Sequence, residues 1–254
     1  MFFSKKFEKF NKIKHCFFSK NNGVSRGIYN SLNCGLGSGD KKKNVLKNLD
    51  IVSKKMGLNP ENLLTMNQTH SNKVIIVNGS NKHLHRFNSD ALVTNEKNIA
   101  ISVLTADCVP ILIYDEANHI IAAIHAGWKG ALSGIIENTL NEIIKINSNN
   151  KINVAIGPCI GVNNYEIGQE FYVKFIQESK KNKKFFLPIK NKKFLFDLRK
   201  YINSKFVKFK INNVENIDFN TFSEDKNFFS FRRSNLMGKK DYGRCISVIS
   251  LINN

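Results

Sequence analysis

The chain has 254 residues, with 39 Lys or Arg against 20 Asp or Glu and a formal net charge of +19. At this length folding buries about three quarters of the unfolded surface, which excludes a small scaffold held together by disulfides. With 42% hydrophobic residues, 11% aromatics, 15 Gly and 4 Pro, the composition also excludes fibrous and disordered classes.

In chain order, the first turn signal is Gly35-Leu36-Gly37-Ser38-Gly39, whose spacing is not GxGxxG and which reads as a flexible turn. Residues 73–77 and 99–104 are β-branched runs bounded by turn residues, hence strands. Residues 109–114 and 119–125 are two further apolar runs joined by Asp115-Glu116-Ala117-Asn118, which predicts a hairpin. After Gly130, apolar residues at Leu132, Ile135, Ile136, Leu140, Ile143 and Ile144 share one helical face. Residues 152–156 predict a strand, and Lys180 to Lys193 a solvated loop or helix end. Asp197 caps a helix with Leu198, Tyr201, Ile202, Phe206 and Phe209 on one side. Gly243 precedes a final buried strand, Cys245 to Ile252. Strands and helices mix without regular βαβ alternation, so an α+β fold with a mixed or antiparallel sheet is expected. No repeat or linker divides the chain, and residues 1–254 read as one domain.

No apolar run approaches the roughly eighteen residues of a membrane helix, so no membrane partner is expected. Glu8, Lys9, Asn11 and Lys12 interrupt any apolar leader, which places the protein in the cytoplasm. Cys16, Cys34, Cys108, Cys159 and Cys245 are odd in number and contain no CxxC, arguing against a disulfide framework; each is a free thiol or a metal ligand. A charge of +19 invites nucleic acid. Yet only six basic residues are Arg, and Asn, with 36 copies, is the other abundant polar residue. Lys and Asn are the residues of A-rich codons, so drift at solvated positions accounts for the balance. No aromatic RNA-binding signature accompanies it, and nucleic-acid binding is not expected.

Three segments combine soft or imidazole ligands with turn chemistry: Asn67-Gln68-Thr69-His70, Thr105-Ala106-Asp107-Cys108 and His125-Ala126-Gly127-Trp128. Cys108 follows one strand, His125 ends another and His70 just precedes a third, so the three can converge from strand ends. Two imidazoles and a thiolate suit Zn²⁺ and leave its fourth tetrahedral position to water, as catalytic sites do. A buried Cys is as a rule a small hydrophobe, so spacing alone leaves both readings open.

The motifs in combination go further. They run from His15 to Lys20 through Asn22-Gly23-Val24-Ser25-Arg26-Gly27, Ser31-Leu32-Asn33 and Gly39-Asp40 to Gln68-Thr69-His70 and Asp90-Ala91-Leu92-Val93-Thr94. Thr105-Ala106-Asp107-Cys108, His125-Ala126-Gly127-Trp128, Gly157-Pro158-Cys159-Ile160-Gly161 and Phe229-Ser230-Phe231-Arg232-Arg233 follow. In this order, over roughly residues 15 to 251, the set resembles the YfiH/laccase-domain family of purine nucleoside phosphorylases, once called polyphenol oxidases. The resemblance implies a single α+β domain of packed mixed sheets flanked by helices, in α/β/β/α-like layers, with zinc on His70, Cys108 and His125. It implies phosphorolysis of adenosine, inosine, guanosine and methylthioadenosine, with inorganic phosphate as co-substrate, and deamination of adenosine to inosine.

For that chemistry, Asp107 or Asp90 is the candidate carboxylate, each with the rival role of orienting a histidine or capping a turn. Arg232, Arg233 and Lys20 are the candidate phosphate clamp, with Asn33 as a further substrate-binding candidate. At a strand end Arg232 and Arg233 would face opposite ways, leaving at most one in the pocket. Trp128 is expected in the core, Cys159 as a packed thiol or beside the metal, and His15, His83, His85 and His119 as solvated or satisfied residues. Ser234 to Tyr242 is longer than in many relatives, which alters the pocket rim. Rival readings are a cysteine hydrolase with a Cys108/His125 dyad, and a copper-dependent phenol oxidoreductase with Met66 as an axial ligand. Whether the protein is a monomer or a homodimer has no sequence signature.

Overall fold

The β-branched runs become the adjoining strands of two packed sheets in the computed structural model, which describes residues 1–252. The last two positions of the expected 1–254 domain lie outside the described residues. The first half of the chain forms β1 (Ile13–Phe17), α1 (Lys42–Met56), β2 (Leu63–Met66), β3 (Val74–Val77), β4 (Arg86–Phe87), β5 (Ala91–Thr94), β6 (Ala100–Thr105), β7 (Val109–Asp115) and β8 (Ile120–Ala126). Then come α2 (Trp128–Ser133), α3 (Ile135–Ile146), β9 (Ile152–Ile156), β10 (Glu166–Ile167), α4 (Gln169–Glu178), β11 (Phe186–Ile189) and β12 (Lys193–Phe196). The chain closes with α5 (Leu198–Lys208), β13 (Val214–Asn216), α6 (Phe231–Leu236) and β14 (Cys245–Leu251).

One sheet has the order β1-β14-β6-β2-β4, the second β13-β9-β7-β8-β5-β3, and a small third β10-β12-β11. Both large sheets are mixed. β2 runs parallel to β6 and β3 to β5, whereas β7 is antiparallel to β8, the expected hairpin.

Period-two alternation assigns each strand residue to a layer. Ile111 and Ile113 of β7 and Ile120, Ala122 and Ile124 of β8 pack against Leu140 of α3, Phe175 of α4 and Phe206 of α5. Leu112, Tyr114, Ile121 and Ala123 of the same strands face Leu64, Ile101, Val103 and Ile249 of the other sheet. That sheet's outer face, with Ala100, Ile246 and Val248, is covered by Val52 and Met56 of α1. The result is a four-layer α+β fold with sheet packed on sheet and helices outside. Each fully buried aliphatic side chain contributes about 1.5–3 kcal/mol. No helix among the described residues is long and apolar enough to cross a membrane.

Three expectations need correction. The single helix after Gly130 is two, α2 and α3, separated at Gly134, whose φ of +93° is a left-handed conformation glycine adopts cheaply. Periodicity runs through the break because Leu132, Ile135 and Ile136 still reach one core. The Lys180–Lys193 stretch is a 3₁₀ turn (Lys180–Phe185) followed by β11, with Phe185 and Phe186 buried between the lysines. Finally, Arg232 and Arg233 lie on α6 and not at a strand end; Ser230 caps that helix by accepting the Arg233 N–H. Asp197 caps α5 as expected, accepting the Lys200 N–H at 2.8 Å.

Candidate metal centre

His70 and Cys108 lie where the chain crosses from one large sheet to the other, on the β2–β3 and β6–β7 connections, and His125 is the penultimate residue of β8. Gln68 fixes the first crossing: its amide donates to the Leu104 carbonyl at 2.7 Å and accepts the Leu104 N–H at 2.8 Å, extending the β2–β6 pairing by a side chain. His70 and Asp107 have φ of +60° and +86°. Such left-handed backbone is uncommon for non-glycine residues, and here it sits at and beside the ligands.

The donor atoms of His70, Cys108 and His125 lie within 4.8 Å of one another, the one such group of three among the described residues. Cys108 Sγ is 3.6 Å from His70 Nε2, and the two imidazole rings meet at 79°. A tetrahedral zinc holds nitrogen and sulfur donors about 3.3–3.8 Å apart, a spacing the His70–Cys108 pair already has, with His125 within 4.8 Å of both. Gly127 keeps the space clear: a Cβ there would lie 2.6 Å from His70 Cδ2 and 3.0 Å from Cys108 Sγ.

The electrostatics fit a cation as well. Burial pushes the Cys108 thiol up, but the neighbouring imidazoles, His125 foremost, outweigh it and hold it at about 6. Burial likewise pushes His125 down, and the Cys108 thiolate followed by Asp90 more than offsets this, holding it at about 9. A metal ion held there would take the place of the proton on His125 Nε2 and pair with the Cys108 thiolate.

Asp90 is fully buried and lines no cavity at the centre; it accepts the His125 Nδ1–H at 2.7 Å. It also accepts the N–H groups of His70 and Ser71 at 3.0 and 2.7 Å and the Ser71 hydroxyl at 2.6 Å. Burial opposes its charge, yet hydrogen bonds from His125 and Ser71 keep it well below the usual carboxylate range. Its geometry is that of a group orienting a histidine: with Nδ1 protonated, His125 keeps Nε2 for a metal. Asp107 accepts the Thr221 and Ser230 hydroxyls at 2.7 and 2.9 Å and the Arg232 N–H at 2.7 Å, tying the β6–β7 crossing to the start of α6. Burial pushes its carboxyl above the ordinary value.

Two cavities meet at the triad and share His70, Ala106, Cys108 and Phe231. One, of about 410 Å³, is polar and lined by Arg86, Arg244, Gln68 and Tyr242. The other, of about 330 Å³, is walled by Trp128, Tyr165 and Phe171 with Arg232. Trp128 is therefore half-buried cavity wall, 4.6 Å from the Phe171 ring, where the core was expected.

The sequence-predicted clamp does not assemble. Arg232 enters the aromatic cavity, 5.5 Å over the Tyr165 ring. Arg233 turns away and donates to the carbonyls of Thr221, Phe222 and Phe228 at 2.7, 2.6 and 2.5 Å, a role in holding loops together. Lys20 lies 5.9 Å over the Phe229 ring and borders neither cavity at the triad. Asn33 is fully buried; it accepts the Gly35 and Arg244 N–H groups and donates to Ser38 and Asp40, shaping the Gly-rich loop. Cys159 is a packed thiol in the helix-side core. His15, His85 and His119 have partners away from the site, in the Ser4 amide, the Glu61 carbonyl and the Tyr114 hydroxyl. Sequence reasoning missed Arg86, Arg244, Tyr165 and Phe171. Arginine's rarity in a chain that otherwise uses lysine was the available signal for the first two.

A family profile described as "Multi-copper polyphenol oxidoreductase laccase" matches residues 14–252. A purine nucleoside phosphorylase of Haemophilus influenzae is 33% identical over 228 residues, 89% of this chain and 91% of its own. A YfiH purine nucleoside phosphorylase of Shigella flexneri is 30% identical over 240 residues, 94% of each chain. Among solved structures, a Neisseria meningitidis protein is similar at 31% identity and TM-score 0.84, covering 96% of both chains. YfiH of Bacillus licheniformis is similar at 29% identity and TM-score 0.87, covering 96% of this chain and 94% of its own. With a profile match over nearly its whole length and full-length relatives on the same fold, the chain belongs to the laccase-domain, YfiH-type family.

Proposed function

We propose that the chain is a zinc-dependent purine nucleoside phosphorylase acting in the cytoplasm on adenosine, inosine, guanosine and methylthioadenosine, with adenosine deamination as a second activity. The observation that carries this reading is the meeting of His70, Cys108 and His125 at the common edge of a cationic cavity and an aromatic one. The names of the similar phosphorylases support it.

Phosphorolysis forms a C–O bond from phosphate to C1′ as the C1′–N bond to the purine breaks. The bonding pair leaves with the base, which takes up one proton from dihydrogen phosphate or solvent. Charge therefore sits on both departing and arriving groups, and the protein must bind a planar base and an anion at once. Trp128, Tyr165 and Phe171 offer aromatic surface for the first, and arginine guanidinium groups at the two cavities offer donors for the second. Asp90 holds the His125 ring in one tautomer, and Asp107 holds α6, with Phe231 and Arg232, against the site. His70, Cys108 and His125 would hold a zinc ion, which would supply Lewis acidity and lower the pKa of a water for the deamination.

A multicopper oxidase reading is disfavoured because that chemistry needs more imidazoles than the one three-residue group among the described residues provides, and the reducing cytosol proposed for the chain favours zinc over a single copper. A cysteine-hydrolase dyad uses the same Cys108 and His125, but it leaves His70 and the Gly127 gap without a role. Chromatography of products tests the proposal: adenosine with phosphate yields adenine and ribose 1-phosphate, and adenosine alone yields inosine. Neither product above a His70→Ala control contradicts it.

A further inference from the structure

The two cavities differ in a way that separates their ligands. No carboxylate lines the polar cavity, which contains Arg86 and Arg244. The aromatic cavity has one arginine, Arg232, beside two lining carboxylates, Asp107 and Glu166, the latter paired with Lys193 at 2.7 Å, so a multiply charged anion meets less positive charge there than beside Arg86 and Arg244. The other arginines are unsuited: Arg233 donates to three carbonyls, Arg199 donates to the Ile217 and Phe219 carbonyls, and Arg26 is exposed and lines neither cavity.

Arg244 is held in place by its neighbours. Its Nη1 donates to the Tyr242 carbonyl at 2.8 Å and lies 3.6 Å from Asp241, and its guanidinium rests 4.3 Å over the Tyr242 ring. Asp241 is itself fixed by the Tyr29 hydroxyl at 2.8 Å and the Gly39 N–H at 2.7 Å. Gly35 makes room for the side chain, since a Cβ there would lie 2.6 Å from Arg244 Cδ. Nε and Nη2 have no protein hydrogen-bond partner among the described residues, so a residue that borders the cavity keeps two donors free for a ligand.

We propose that Arg244, with Arg86, forms the phosphate subsite of the polar cavity, and that the purine occupies the aromatic cavity on the other side of the shared His70–Cys108 edge. Placement of nucleophile and leaving group on opposite sides is what an in-line displacement at C1′ requires. This assignment rests on the phosphorylase reading for its chemistry, but anion binding itself is measurable without turnover.

Isothermal titration of the metal-loaded protein with inorganic phosphate tests it, using wild type, Arg244→Gln, Arg86→Gln and Arg232→Gln. Arg244→Gln weakens phosphate binding at least tenfold, Arg86→Gln at least threefold, and Arg232→Gln less than twofold. Arg86 is exposed and makes only one long bond, to Asn67 at 3.4 Å, so its variant stays informative should Arg244→Gln misfold. In steady state, Arg244→Gln raises KM for phosphate at least tenfold and leaves KM for the nucleoside within twofold. Unchanged phosphate affinity in the Arg244 and Arg86 variants, or a loss confined to Arg232→Gln, overturns the subsite. If wild type binds phosphate as described yet converts no nucleoside, the phosphorylase reading fails and the anion site stands.

Discussion

Replacing Asp90 by Asn removes a charge at the point where three parts of the metal centre are tied together. The carboxylate receives the His125 Nδ1–H at 2.7 Å, the Ser71 N–H at 2.7 Å and hydroxyl at 2.6 Å, and the His70 N–H at 3.0 Å. An amide keeps one oxygen and puts an NH₂ where an acceptor stood. If the oxygen serves Ser71, the NH₂ meets His125 Nδ1 and drives that ring toward the Nε2–H tautomer, which cannot donate Nε2 to a metal. Loss of such a partner costs about 10–100-fold in metal affinity, equivalent to about 1.4–2.8 kcal/mol. In the metal-free protein, a buried donor left without its acceptor costs about 1–3 kcal/mol. Zinc affinity is measured by competition with a chromophoric chelator, and apoprotein stability by urea unfolding. Zinc affinity in Asp90→Asn within twofold of wild type would refute the orienting role.

Gly127→Ala drives a methyl to within 2.6 Å of His70 Cδ2 and displaces a ligand; zinc affinity drops at least tenfold in the same competition assay, while far-UV circular dichroism stays unchanged. His15 is 5% exposed, and burial lowers its pKa to about 4, with Glu215 opposing only in part. Folding therefore favours the neutral ring, and its contribution is complete above the unfolded value of about 6.5 and lost as pH falls from there toward 4. Between pH 7.5 and 5 this removes about 2 kcal/mol from the urea-unfolding free energy, and a His15→Asn variant that retains the full dependence contradicts the assignment. Phe196, wholly buried with its ring 4.8 Å from Phe175 and 4.6 Å from Phe186, leaves a cavity when cut to Ala. Thermal and urea unfolding of Phe196→Ala should register a loss of about 3–5 kcal/mol, and a loss under about 1 kcal/mol speaks against this aromatic cluster as a core.

The strands were legible because burial on both faces writes a continuous apolar run, as in residues 109–114 and 119–125. The break at Gly134 was not, since the 3.6-residue spacing continues across it. The alternation of Phe229, Ser230 and Phe231 imitates a strand, and only the Ser230 cap reveals the turn into α6. The ligand triad stood out in motif order, but the tasks of Asp90 and Asp107 depend on donors from distant segments: Ser71 and His125 for one, Thr221, Ser230 and Arg232 for the other. Local spacing holds no record of such partners. Arg244 escaped notice for the same reason: Tyr242, Asp241 and the glycine at 35 make it a fixed donor only once the chain has folded.

The central claim is that His70, Cys108 and His125 hold one zinc ion. X-ray absorption at the metal edge of the purified protein tests it most directly: one zinc per chain with one sulfur and two imidazole nitrogens, its sulfur scattering abolished in Cys108→Ala, is the predicted result. A copper edge, a zinc with no sulfur neighbour, or a spectrum unchanged by Cys108→Ala would contradict it.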